Sequence, residues 1–311
     1  MILLLYHSYG KGNVHNFRQY FFDELVRSGA IAHDIALREN RHERDFNTIV
    51  AKACGGVIPD VVILFTIRKC GEISGLENFK GLVVLYECDS ENYRPKVIDY
   101  LNKYKNIRLA TFEFYPEMSY PYEVEHKLWL PPTITAEDKM LGLERIYDFG
   151  HCGSYARYKG WHNSRIDFVL RVLPTIKSFQ MEMRGDRLEE IGRVSKPLTS
   201  SEELAAFANQ VKIMFACPTR YCWLTHQYIY PVANGCLVVG RRPQGFESQM
   251  VPESLVEVRD DFADLEEKVQ YYLNNENERV ARVQIAHDYV QKNHTTARRV
   301  QQLLEKIKEI V

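Results

Sequence analysis

Two stretches of the 311-residue chain carry residue types and spacings suited to binding an anion. The first is CGSYARYKG, residues 152–160. A glycine at 153 lets backbone N–H groups approach a phosphate closely, and Arg157 and Lys159 supply compensating positive charge. The second is FACPTRYCWLTHQYIYPVANGCLVV, residues 215–239, an apolar run, a polar and aromatic turn with His226 and Gln227, and a second apolar run after Ala233-Asn234-Gly235. A helix starting at that turn would add a favourable dipole for an anion. The MRGD segment at 183–186 ends another apolar run and brings Arg184 to a third turn.

These segments need elements to position them. ILLLY (2–6), IAHDIAL, DVVILFT (60–66), LVVLYECD (82–89) and IRLATFEFY (107–115) read as strands, and all-apolar runs of this kind belong to parallel strands covered on both faces. Between them VHNFRQYFFDELVRSG and DFNTIVAKACGG read as helices closed by glycine. HKLWLPPTI (126–134) is a short strand stopped by a double proline, read as the exit from a first domain. The alternation then restarts with RIYDFGHCGS, SRIDFVLRVLPTI, FQMEMRGD, SSEELAAFANQ (with a Ser/Glu capping signature), VKIMFACP, THQYIYPVANG as a helical stretch, CLVVG and LVEVRD. A tail of two or three helical segments follows. The fold class is α/β: two Rossmann-like parallel-sheet domains, residues 1–133 and 134–295, facing a central cleft, with a helix at 296–311 returning to the first domain. Ligands of open parallel sheets bind beyond the C-terminal strand ends.

Bulk composition narrows the class. Forty Lys and Arg against 41 Asp and Glu give a net charge of -1, which argues against nucleic-acid binding through bulk charge, and 45% hydrophobic residues suffice for ordinary cores. The charge run at 38–45 reads as a solvated loop. Seven cysteines, an odd number with no CxxC pair, predict buried thiols and neither a disulfide framework nor a zinc site. The apolar opening ILLL is too short for a signal peptide or a membrane span, so a cytoplasmic protein is expected.

The second half resembles the nucleotide-binding domain of group 1 glycosyltransferases with the GT-B fold, in the CgeB-like branch. The likeness rests on the Gly153 turn with Lys159-Gly160, on Pro218-Thr219 and Ala233-Asn234-Gly235 falling on the family's Pro-Ser and Ala-Cys-Gly, and on the tail with His294-Thr295 and Arg298-Arg299. Ser154 stands where the family carries an arginine. The two family glutamates fall on Cys222 and Tyr230, neither a carboxylate. The resemblance implies transfer of a sugar from a nucleotide-diphosphate sugar, UDP the nucleotide expected, without cofactor or metal. It places Gly153, Ser154, Arg157, Lys159, Arg184, Thr219, His226, Gln227 and Tyr230 around the donor. Glycine-rich Gly10 and Gly12 would meet donor or acceptor from the first domain, and a general base is expected at Asp89 or His7, each after a strand. The acceptor stays open: a glycan, a protein, a small molecule, or a hydroxylated nucleobase in DNA, for which HNFRQYF, RENRHER and IRK offer basic and aromatic groups. Loss of both acids leaves a further alternative, a binding protein of this fold without catalysis. Oligomeric state stays open too.

Overall fold

The computed structural model describes residues 1–6, 17–36, 44–65, 72–87, 99, 101–112, 124–155, 163–185, 198, 200–217 and 222–311. The chain divides into two compact units. Arg18–Pro131, with the opening strand and the final segment Ala297–Val311, forms one; Pro132–Thr296 forms the other.

The first unit holds a six-stranded sheet in the order β2-β1-β3-β4-β5-β6: β1 Ile2–Tyr6, β2 Ile31–Ala36, β3 Val61–Phe65, β4 Leu82–Glu87, β5 Ile107–Phe112 and β6 His126–Trp129. Every pairing described is parallel. Side chains alternate across a strand, so β3 sends Val62 and Leu64 to one face and Val61, Ile63 and Phe65 to the other. Helix α2 (Phe46–Cys54) closes the first face with Phe46, Ile49 and Val50. It is capped by Asp45, whose carboxylate accepts the Thr48 N–H, and ends at Gly55 in the left-handed region. The second face is covered by α1 (Phe17–Arg27), through Phe21, Phe22 and Leu25, and by the last helix, Thr296–Ile310, through Val300, Leu303 and Ile307. That helix is amphipathic because its apolar residues recur at three- and four-residue spacing, and the face so formed is consumed by the first sheet.

The second unit holds a five-stranded parallel sheet in the order β11-β10-β9-β7-β8: β7 Tyr147–Cys152, β8 Met181–Arg184, β9 Val211–Ala216, β10 Leu237–Gly240 and β11 Val256–Glu257. After β7 comes α3 (Asn163–Asp167), which widens into a π turn over Phe168–Val172 and tightens into a 3-10 turn over Leu173–Thr175, where Pro174 cannot continue an α ladder. Phe168 stacks on Phe215 of β9 with centroids 3.9 Å apart, fixing this helix to the sheet. Helix α4 (Ser201–Asn209) starts at Ser200, whose hydroxyl accepts the Glu203 N–H. The segment expected to be helical from Thr225 to Gly235 is instead a 3-10 turn at His226–Tyr228 followed by α5 (Tyr230–Ala233), interrupted because Pro231 enters at the helix start. Neither piece is long enough to sum a macrodipole, so no helix dipole acts at this turn. Helices α6 (Leu265–Asn274) and α7 (Glu276–Asn293) complete the unit, and the last helix is α8. The passages at 133–134 and 294–296 run side by side, with Ile134 N–H donating to His294 O at 2.9 Å and Thr296 Oγ1 to Ile134 O at 3.1 Å. Among the described residues no helix is long and apolar enough to cross a membrane.

Candidate functional site

In the second sheet β7 is flanked by β8 on one side and β9 on the other, so the strand order reverses there. The crevice of such a sheet opens beyond the C-terminal ends of the strands at the reversal, here after Cys152 and Ala216. Three segments meet at that point: 153–155, α3 and the turn at His226–Tyr228.

Gly153 is where they touch. Its N–H donates to Arg184 O at 3.2 Å. A Cβ at 153 would stand 2.7 Å from Arg165 Nη1 and nearer still to Gln227 Nε2, so a side chain here would displace the ends of both. Gly185, at φ +141°, lies directly against the Gly153 carbonyl, and a Cβ there would overlap that oxygen. The two glycines let the ends of β7 and β8 close on each other.

Arg165, from α3, lies over this turn. Its Nη1 donates to Ser154 O at 2.5 Å and its Nη2 to Gln227 Oε1 at 3.0 Å, while Gln227 Nε2 donates to Cys152 O at 2.8 Å. Gln227 thereby ties the end of β7 to the helix that follows it. Arg165 is 5% exposed, its Nε makes no hydrogen bond, and among the described residues no carboxylate pairs with it. Carbonyl oxygens satisfy N–H groups but leave the guanidinium charge uncompensated, an arrangement costly in a protein interior unless an anion completes it. Among the described residues, the neighbouring Cys217 and Tyr228 do not supply one. Burial pushes the Cys217 thiol up to about 11, against the opposing pull of Arg165 and Arg241, and raises the Tyr228 phenol well above its ordinary value. Both are neutral at pH 7.

Among the other candidates, His226 is half-buried and burial lowers its pKa to about 4, opposed by a hydrogen bond with the Thr133 backbone; its ring lies 5.0 Å from that of Tyr230. It presents a neutral imidazole at pH 7. Tyr230 is packed among Cys152, Phe207, Met214 and Cys236, only 3% exposed, and burial raises its phenol pKa. Cys222 is half-buried at φ +56°, and its carbonyl accepts the Gln244 N–H at 2.7 Å. Arg184 pairs with Glu182 at 2.7 Å and lies 5.9 Å over the Phe207 ring, so its charge is already engaged. The Ala-Asn-Gly frame is structural: buried Asn234 donates to Asp138 Oδ1 at 2.9 Å and to Tyr230 O at 2.7 Å, and accepts from Asn209 at 2.9 Å. His7, Gly10, Gly12, Asp89, Arg157, Lys159 and Thr219 lie outside the described residues. Among the described residues no group of three or more His, Cys, Asp or Glu is arranged to hold a metal ion.

Sequence reasoning missed Arg165. Its signal was present: Arg165 shares helical spacing with Phe168 and Val169, both fully buried, so a charged residue sits on the buried stripe of its helix.

Residues 165–305 match the family model described as glycosyl transferase-like, which is under half of the chain. No curated protein sequence matches. Among solved structures, HepE from Anabaena in complex with UDP-glucose superposes with a TM-score of 0.67 at 10% identity, covering 99% of each chain. Sucrose-phosphate synthase from Thermosynechococcus elongatus gives 0.67 at 12%, covering 99% of this chain and 98% of the other. An alpha-glucosyltransferase in complex with UDP-glucose and DNA containing an abasic site gives 0.60 at 12%, with the same coverage. Two parallel-sheet α/β units of six and five strands, matching these structures along nearly their whole length, are the GT-B fold.

Proposed function

We propose that the protein is a glycosyltransferase that moves a sugar from a nucleotide-diphosphate sugar, UDP the expected nucleotide, to an acceptor hydroxyl. The observation that carries the reading is the buried, uncompensated Arg165 held on the Gly153 turn at the strand-order reversal of the second sheet. Structures of the same fold bound to UDP-glucose support it. In the reaction the bond between the anomeric carbon and the diphosphate oxygen breaks, the electron pair leaves with the nucleoside diphosphate, and the acceptor oxygen bonds to the anomeric carbon as its proton passes to a base. Stabilising the leaving diphosphate is the main electrostatic task, and fixed cations and backbone N–H groups perform it without a metal ion.

Lys159, Arg157 and Thr219 complete the donor site in this reading, and Asp89 or His7 receives the acceptor proton. The CgeB-like branch is the subgroup we favour, on the Lys-Gly turn and the His294-Thr295 tail. The test is a calorimetric and turnover panel of UDP-, GDP-, ADP- and dTDP-sugars. Binding with sugar release or transfer supports the enzyme, and Lys159→Ala then lowers turnover by orders of magnitude. Binding without either across all donors leaves a binding protein of the same fold, and no binding refutes the donor site. Duplex DNA carrying hydroxymethylated bases belongs in the acceptor panel, with binding that falls steeply with salt as the sign of a DNA acceptor.

A further inference from the structure

We propose that Arg165 supplies positive charge to the donor diphosphate across the Gly153 turn, in the place left uncharged by Ser154. The inference rests on the donor-site reading above and adds to it the residue that provides the field. The guanidinium is not on the ligand side of a long flexible arm: it is held by two hydrogen bonds, to the carbonyl of Ser154 itself and to Gln227, and the missing Cβ of Gly153 is what gives it room. The charge is thereby fixed against the backbone that forms the turn. Its third donor site, Nε, is buried and unbonded. Surrounding thiol and phenol groups stay neutral, so nothing nearby cancels the charge among the described residues. In a low-dielectric interior a fixed cation acts on an anion over a longer range than an exposed lysine does, and it needs no reorganisation when the ligand arrives. Arg165 acts by the field of its fixed charge, and what it favours is the diphosphate rather than the nucleoside.

That distinction provides the test. Titration calorimetry of the full chain with UDP and with uridine separates the phosphate contribution from that of the base and ribose. For Arg165→Met and Arg165→Gln, UDP affinity is expected to fall about 10- to 100-fold while uridine affinity stays within about twofold. Arg165→Lys keeps the charge without the planar fork and retains most of the UDP preference. If the neutral variants fail to fold, Gln227→Glu keeps the volume and gives Arg165 a carboxylate partner, at the cost of the bond donated to Cys152 O, and produces the same selective loss of UDP, with Gln227→Met as the control that loses that bond without adding charge. A purely structural role would weaken both ligands together and make the lysine variant as poor as the methionine one. An unchanged ratio of UDP to uridine affinity in the folded Arg165→Met, Arg165→Gln or Gln227→Glu proteins overturns the proposal. A wild-type chain that binds no nucleoside diphosphate overturns the donor-site reading itself, and the proposal with it.

Discussion

The hydrogen bond between Arg165 and Gln227 offers a direct measurement of how the turn is held. Replacing Gln227 with Leu removes one neutral bond, to Cys152 O at 2.8 Å, worth about 1 kcal/mol. It also removes one bond from a charged donor, Arg165 Nη2 at 3.0 Å, worth about 1.5–3 kcal/mol, and strands that donor in a buried site. The single variant should therefore cost about 2.5–4 kcal/mol. Arg165→Met removes the same charged bond and the one to Ser154 O, together about 3–6 kcal/mol, and gives back the desolvation cost of the buried charge, so its net cost is smaller than that sum. Because the shared bond is lost only once, the double variant should be more stable than the sum of the two by about 1.5–3 kcal/mol. Native-state hydrogen exchange at the amides of β7 and β9 reads the opening free energy of this sheet without requiring the two units to unfold together. A coupling below about 0.5 kcal/mol would show that the two side chains are neighbours that do not depend on each other, and the account of the turn would be wrong.

Four further outcomes follow from the same geometry. His226 is neutral when folded, with its pKa near 4, while the unfolded imidazole takes up a proton near 6.5; stability therefore falls as pH drops from about 6.5 to 4, by at most about 3 kcal/mol, and His226→Gln should flatten that part of the melting-temperature profile relative to wild type. Comparing the two proteins isolates the histidine from Asp138, whose burial raises its pKa and gives the opposite slope above the ordinary carboxylate range. Gly185→Ala sets a Cβ against the Gly153 carbonyl at a φ of +141° and should cost at least about 3 kcal/mol; a thermal midpoint unchanged from wild type would mean that β7 and β8 do not close as described. Cys222→Gly relieves a positive φ of 56° at the expense of a more flexible unfolded chain, so it should leave the urea midpoint nearly unchanged, whereas Cys222→Val, β-branched at that φ, should lower it by about 1–2 kcal/mol equivalent. Tyr230→Glu places a carboxylate in a core already near Asp138, so it should destabilise the protein by several kcal/mol and more at pH 8 than at pH 5, with Tyr230→Gln as the pH-independent control in thermal melts.

The fold was legible because its strands are written as apolar runs. DVVILFT, LVVLYECD and VKIMFACP admit little besides buried parallel strands, and each holds one, over Val61–Phe65, Leu82–Glu87 and Val211–Ala216. The helix after β7 was legible as a helix but not as three kinds of turn, since the widening at Phe168 answers to stacking on Phe215 from a distant strand. The stretch from Thr225 to Gly235 was misread because its apolar spacing suits a helix while Pro231 interrupts one. Gly153 and Gln227 were legible as members of a glycine turn and a polar turn, and the structure brings those two turns together. The network of Asp138, Asn209 and Asn234 was not, because its bonds join residues 25 to 96 positions apart and each residue alone reads as an ordinary polar surface group.

The missing acids and the uncompensated arginine are connected by charge. A glutamate at 230 would stand in a core cluster beside a buried aspartate, where nearby Arg145 already donates to the carbonyls of Ala208, Val211 and Asn234. A tyrosine fills the same volume without a charge to bury. At 222 the backbone, not the side chain, is the constrained part, held at positive φ with its carbonyl bonded to Gln244. With no carboxylate at 222 or 230, neither position adds negative charge to this part of the sheet, and in the proposed site the field of Arg165 stays available to an incoming anion. If a nucleotide-sugar donor binds here as proposed, a chain without a carboxylate at 222 or 230 offers the donor's hydroxyl groups fewer acceptors there, while the cation beside the phosphates is unchanged. A chain so built should show a larger share of its donor affinity in the diphosphate, and correspondingly little discrimination among sugars, than one that carries both acids.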